Sequence, residues 1–213
     1  SCFMNGHSND VVIRPAATLY DGEMIYGFLD DNKFDPVTGE GHVLLLPRSY
    51  IKDNLGEFYV AELMPRPGNG WPILVGCGRV SAYEWEGERI AELGSIVTDR
   101  LYRGWGIGSR LVDHGKTIAC QTGHDELYAL VDKTDPLLIE FYENNGFEFV
   151  DGRPIPKIKR DCEACPLYEK LCKEATYAAK LVVPQPELLM PGSYRSSLNG
   201  SAHSGLPEMR AVQ

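Results

Sequence analysis

Arg103-Gly104-Trp105-Gly106-Ile107-Gly108 sets three glycines at alternate positions, just before a segment with helical spacing at Ile107, Leu111, Ile118 and Ala119. A helix N-terminus carries unpaired backbone N–H groups and partial positive charge, and glycines let a ligand approach that backbone closely. The turn therefore reads as a phosphate cradle. A Walker loop would end in Gly-Lys-Ser/Thr, whereas Gly108 is followed by Ser109-Arg110. A dinucleotide fingerprint fits poorly too, because Ser109 holds its third glycine position and residues 98–103 separate strand from turn.

Working outward, the pattern predicts strands over 11–15, 58–63, 73–83, 90–97, 127–131 and 147–150. Helices are expected over 17–29, 106–121 and 136–144, with a helical turn over 49–55. Pro136 suits a first helical position and Gly146 a stop. The expected fold is α/β, a mixed and mostly antiparallel central sheet flanked by helices. The domain is expected over 10–151, followed by a cysteine-containing helical extension over 152–183, with a helix over 166–181. Pro, Gly and Ser dominate 184–213, which reads as a flexible tail.

Bulk properties narrow the function. The 213 residues hold 30 acidic and 21 basic side chains, a net charge of −9 that disfavours nucleic-acid binding. No apolar run approaches the ~20 residues of a membrane span, and no secretory signal pattern is visible at the start. A cytoplasmic protein with reduced cysteines is the expectation. Cys162, Cys165 and Cys172 offer three soft ligands at a spacing zinc accepts, without an evident fourth; free thiols are the competing reading.

Arg103-x-x-Gly106-x-Gly108 resembles the R/Q-x-x-G-x-G/A motif of the GNAT acetyltransferases, which wraps the pyrophosphate of acetyl-CoA. Residues Ala91 to Val97 resemble the strand before that motif, and Phe141-Tyr142-Glu143-Asn144-Asn145-Gly146-Phe147 resembles the family's F-Y-E-x-x-G-F landmark. A narrower likeness, to the acetyltransferase domain of N-acetylglutamate synthases, runs through Leu46-Pro47-Arg48-Ser49, Phe58-Tyr59-Val60-Ala61-Glu62, Val75-Gly76-Cys77-Gly78 and Ala91-Glu92-Leu93. The chain departs from that group at Val131-Asp132-Lys133-Thr134-Asp135-Pro136.

The resemblance implies acetyl-CoA as co-substrate and the primary amine of a small molecule, such as an amino acid, as acceptor. It places Gly104, Trp105, Gly106, Ile107 and Gly108 on the pyrophosphate, with Arg103 in support. Ile96 and Val97 would pair with the pantetheine amides. Arg100, Arg110 and Lys116 are candidates for the 3′-phosphate. Tyr142 is the candidate general acid, or else a helix tyrosine packed on the sheet. Glu92 is the candidate base, directly or through water, or else a solvated strand glutamate. Arg48 suits an acceptor carboxylate, and Ser49 a cap or hydroxyl donor, against the reading of a solvated arginine at a helix start. A homodimer is compatible with the sequence. A module that binds acyl-CoA or a protein partner without catalysis is the rival function.

Overall fold

The computed structural model describes residues 10–33, 45–65, 70–85, 87–150 and 174–181. In chain order these form β1 (Val11–Pro15), α1 (Leu19–Asn32), α2 (Arg48–Asp53), β2 (Phe58–Leu63), β3 (Ile73–Trp85), β4 (Glu88–Thr98), α3 (Ile107–Gln121), β5 (Glu126–Asp132), α4 (Pro136–Asn144), β6 (Glu148–Phe149) and β7 (Glu174–Lys180). Single 3₁₀ turns at Leu55–Glu57 and Arg100–Tyr102 lead into β2 and out of β4. Among the described residues no helix is long and apolar enough to cross a membrane.

Local chemistry explains the helix boundaries. Thr18 caps α1 through the Asp21 N–H, and the Asp21 carboxylate returns the bond to the Thr18 N–H, closing a capping box. Asp135 accepts from the Leu137 and Leu138 N–H groups at the head of α4, with Pro136 at the first helical position. By contrast α3 starts on Gly106 in the left-handed region, with no side-chain cap.

The seven strands lie in the order β1-β2-β3-β4-β5-β7-β6. All neighbouring pairs are antiparallel except β4 and β5, which run parallel from Ala91–Leu127 to Leu93–Ala129. The expected helix over 166–181 is corrected here: Glu174–Lys180 is a strand, inserted between β5 and β6. Ala, Glu and Lys give that stretch helical propensity, but two flanking strands offer its backbone a full ladder. Residues 166–173 of the expected helix lie outside the described residues. So does the expected tail over 184–213.

Two apolar cores cover the sheet. On one side Ile107, Leu111, Val112 and Ala119 of α3 pack with Val80, Leu93, Leu127 and Ala129; on the other Ile25, Phe28 and Leu29 of α1 and Ile51 of α2 pack with Phe58, Val60 and Val97. Gly115 lets α3 sit close, because a Cβ there would come within 2.5 Å of Leu93 Cδ1 and 2.8 Å of the Tyr59 hydroxyl. That hydroxyl donates to the Leu111 carbonyl at 3.0 Å and ties the helix to β2.

The close approach predicts opposite outcomes for two helical glycines. Gly115→Ala should lower unfolding free energy by about 1–3 kcal/mol through overpacking. Gly27→Ala in α1, where nothing lies within 4 Å of the new Cβ, should raise it by up to ~1 kcal/mol. Urea denaturation midpoints at constant slope check both signs.

Candidate active site

The site begins with an irregularity in β4. Between the pairs Arg79–Gly94 and Cys77–Val97, β4 carries one more residue than β3. The excess falls at Ser95, which takes φ 51°, a left-handed conformation rare for a residue with a side chain. A bulge of this kind bends its strand and increases twist. The buried Cys77 thiol donates to the Ser95 carbonyl at 3.6 Å, and burial pushes that thiol up to about 12, so it stays protonated. Ladder pairing between β4 and β5 stops at Leu93–Ala129, just before the bulge. Ile96 and Val97 therefore continue along β4 with β3 on one side and no β5 partner on the other.

Beyond Thr98 the chain enters the glycine turn. Asp99 accepts from the Leu101 N–H at 2.8 Å and shapes the 3₁₀ turn that leads there. Gly104 and Gly106 sit at φ 82° and 74°, so both need glycine's freedom. The first helical bond runs from the Arg110 N–H to the Gly106 carbonyl at 3.1 Å. Ile107, Gly108 and Ser109 precede it, so their N–H groups have no carbonyl one turn back. Ile107 is buried and anchors the turn in the core. Gly108 serves packing as well, since a Cβ there would lie 3.2 Å from the Phe141 ring of α4. Trp105 meets Tyr102 edge to face, with centroids 5.2 Å apart.

The basic candidates divide. Arg110 donates to the Val11 carbonyl at 2.7 Å, and Lys116 donates to the Asn145 carbonyl while lying over the Phe147 ring. Both are engaged in holding the fold together. Arg100 and Arg103 are exposed beside the glycine turn.

Glu92 and Tyr142 are both buried, at 9% and 6% exposure. The solvated-glutamate alternative for Glu92 is thereby overturned. Its Oε2 accepts from the Tyr83 hydroxyl at 2.8 Å, and its Oε1 lies 3.5 Å from Arg79 Nη2. Tyr142 stands in α4 between Phe141 and Phe147, edge to face with each. Burial first, and then the negative charge of Glu92, raise the Tyr142 phenol above its ordinary range. The two groups thus feel each other electrostatically, in a region of low dielectric.

Arg48 opens α2 on the surface, stacked 4.3 Å from the Tyr26 ring centroid and 3.4 Å from Glu23 Oε2. The reading of Ser49 as a cap is corrected: Pro47 holds the N-cap position and no side chain caps α2. Cys162, Cys165 and Cys172 lie outside the described residues. Among the described residues no three His, Cys, Asp or Glu side chains group as metal ligands.

Sequence reasoning missed Tyr50, Glu57, Arg79, Ser81 and Tyr83, which surround Glu92 through a shared polar network. A signal was present. Positions 79, 81 and 83 alternate as polar side chains along a strand, which puts them on one face.

Comparison with known proteins gives this geometry a context. The acetyltransferase (GNAT) family matches residues 23–147. An uncharacterized N-acetyltransferase of Chlorobaculum tepidum is 26% identical over 129 residues, 60% of this chain and 74% of that protein. N-acetylglutamate synthase from Neisseria gonorrhoeae, solved with coenzyme A and N-acetyl-glutamate, superposes with TM-score 0.60 at 22% identity; the match covers 81% of this chain and 35% of that one. This chain thus spans about a third of that synthase. A Mycobacterium tuberculosis protein solved with CoA gives TM-score 0.61 at 20% identity, covering 80% of this chain and 99% of that one.

A glycine turn that receives pyrophosphate predicts a ligand-dependent melting temperature. CoA should raise Tm of the wild type in proportion to the logarithm of its concentration. Gly106→Glu adds a side chain at positive φ and a negative charge at the candidate phosphate turn, and should abolish the rise while the ligand-free protein still melts cooperatively.

Proposed function

The chain belongs to the acetyltransferase (GNAT) family, and we propose that it transfers the acetyl group of acetyl-CoA to the primary amine of a small molecule by direct attack in a ternary complex. The observation that carries this reading is a buried carboxylate, Glu92, one residue before the last pair of the β4–β5 ladder, in a chain whose helix α4 carries the buried Tyr142 phenol.

The residues present fit acetyl-CoA. The unpaired N–H groups at the head of α3, with Gly104 and Gly106 bare of side chains, suit a pyrophosphate. Arg103 and Arg100, exposed beside them, supply positive charge. The β4 edge at Ile96 and Val97 offers amide partners to pantetheine, as an added strand would use them, and a backbone N–H there suits the thioester carbonyl oxygen.

The chemistry balances on two side chains. The amine nitrogen attacks the thioester carbonyl carbon, so an N–C bond forms and the C–S bond breaks. Glu92 takes the proton that the nitrogen sheds, directly or through one water. Tyr142 gives its proton to the departing thiolate. Solvent then restores both groups. Burial keeps the phenol protonated throughout the neutral range, so its proton is present when the thiolate departs.

The acceptor fits an amino acid. Arg48 at the head of α2 carries the planar, permanently charged fork that a carboxylate prefers, and Ser49 adds a hydroxyl. Support comes from the Neisseria synthase, whose bound ligand N-acetyl-glutamate is an acetylated amino acid. Arg48 would exchange its Glu23 contact for the substrate.

The assigned roles predict distinct kinetic signatures. Tyr142→Phe should lower kcat by roughly 100-fold with little change in KM for acetyl-CoA. In the wild type, kcat should not fall on a basic limb below pH ~10, the ordinary phenol value, because the Tyr142 pKa lies above it. A steady-state assay of released thiol across pH checks both; an unchanged rate in Tyr142→Phe removes the residue from the mechanism. For the acceptor, an amino acid should outperform its decarboxylated amine, and Arg48→Lys should erode that preference. Equal use of both by the wild type rejects the amino-acid acceptor.

A further inference from the structure

Arg79 is a charged side chain only 8% exposed, in the middle of β3. A buried guanidinium is costly unless its charge is compensated. Its Nη1 donates to the Tyr50 hydroxyl at 2.7 Å and lies 3.9 Å from Glu57 Oε2; its Nη2 lies 3.5 Å from Glu92 Oε1. Its Nε is a buried donor without a hydrogen-bond partner among the described residues. The side chain fits because Gly94 faces it: a Cβ at Gly94 would stand 3.0 Å from Nη2 and 3.3 Å from Nε. Evenly satisfied structural arginines look different. This one leaves a donor bare to sit between two carboxylates.

Several described groups face Glu92. Arg79 and Tyr83 face it from β3, Glu57 and Tyr50 reach it through Arg79 from the segment before β2, and Tyr142 feels it from α4. Tyr128 of β5 lies at the paired register position. Ser81 donates to Glu57 at 2.6 Å and so holds the second carboxylate in place. Among the described residues of this set Arg79 is the cation, and it lies between two carboxylates in a half-buried cluster. Like charges brought together repel, and an opposite charge set between them favours the charged form of both.

We propose that Arg79 is a positioning residue for catalysis: it separates Glu57 from Glu92 and holds the Glu92 carboxylate ionised and oriented, with Tyr83 fixing the other oxygen. This rests on the reading of Glu92 as the base. The proposal assigns Arg79 no contact with substrate. Its effect travels through the charge state of Glu92, so it is legible in a pH profile.

The test is the pH dependence of kcat/KM for the amine at saturating acetyl-CoA, in wild type, Arg79→Met, Arg79→Lys, Tyr83→Phe and Glu92→Gln. Loss of an opposite charge at this range raises a carboxyl pKa by about 1–2 units. The acidic limb of Arg79→Met should move up by that amount, and its rate should recover toward wild type above the new limb. Arg79→Lys keeps the charge and should restore most of the original limb. Tyr83→Phe, a small change that serves if Arg79→Met fails to fold, should move the limb in the same direction by less. KM for acetyl-CoA should stay constant. A uniform loss at every pH in Arg79→Met and Tyr83→Phe, with the limb unmoved, overturns the proposal and leaves Arg79 structural. If Glu92→Gln retains the wild-type rate and profile, the assignment of the base itself has failed, and the proposal falls with it.

Discussion

Ser95 at φ 51° is the constraint on which the rest of the site depends. Holding a residue with a side chain in the left-handed region costs about 1–2 kcal/mol. The two cores on either side of the sheet outweigh that cost, and the Cys77 thiol bonds the Ser95 carbonyl. What the bulge gains is geometry. Were β4 regular, its ladder with β5 would continue past Leu93 and close the edge at Ile96 and Val97. Beyond Leu93 no strand among the described residues pairs with β4 on that side, from the bulge toward the glycine turn at the head of α3. The residues proposed for binding and for chemistry thus share one strand.

The electrostatics follow from that placement. The proposed mechanism needs Glu92 charged and Tyr142 neutral. Burial favours neutrality for both, so the carboxylate needs a counter-charge while the phenol needs none. The polar face of β3 supplies that difference, with Arg79 and Tyr83 on one face of the strand, each reaching Glu92. Apolar and aromatic neighbours do the opposite for Tyr142, which stacks between Phe141 and Phe147. The same sheet thereby surrounds the two groups with two different kinds of packing. Tyr50, next but one to Arg48 in α2, links the counter-charge to the element assigned to the acceptor.

Much of this was legible in the chain. Helices α3 and α4 follow from periodicity and caps, and the glycine turn follows from the chemistry of a helix N-terminus. Gly104 and Gly106 take the positive φ that the turn requires, and Gly108 also lies against Phe141 of α4. Strand β7 was not legible, because Glu174–Lys180 reads as a helix until the flanking strands exist to pair with it. The arginine at the centre of the polar network was hidden for a similar reason. Its partners lie 29 residues before and 13 after it, and only the folded register of β3 and β4 brings them together. Nothing in Gly94-Ser95-Ile96 announces a bulge; it emerges from the competition between two neighbouring strands.

The central claim is that β4 beyond its bulge is an open edge that pairs with the pantetheine arm. Amide hydrogen exchange with and without CoA, read by mass spectrometry of peptides, measures it directly. The account predicts slowed exchange in the peptides spanning 94–98 and 104–109 on adding CoA, with little change across β1 and β2. Unchanged exchange in 94–98, at CoA concentrations that protect 104–109, would contradict it and confine the ligand to the glycine turn.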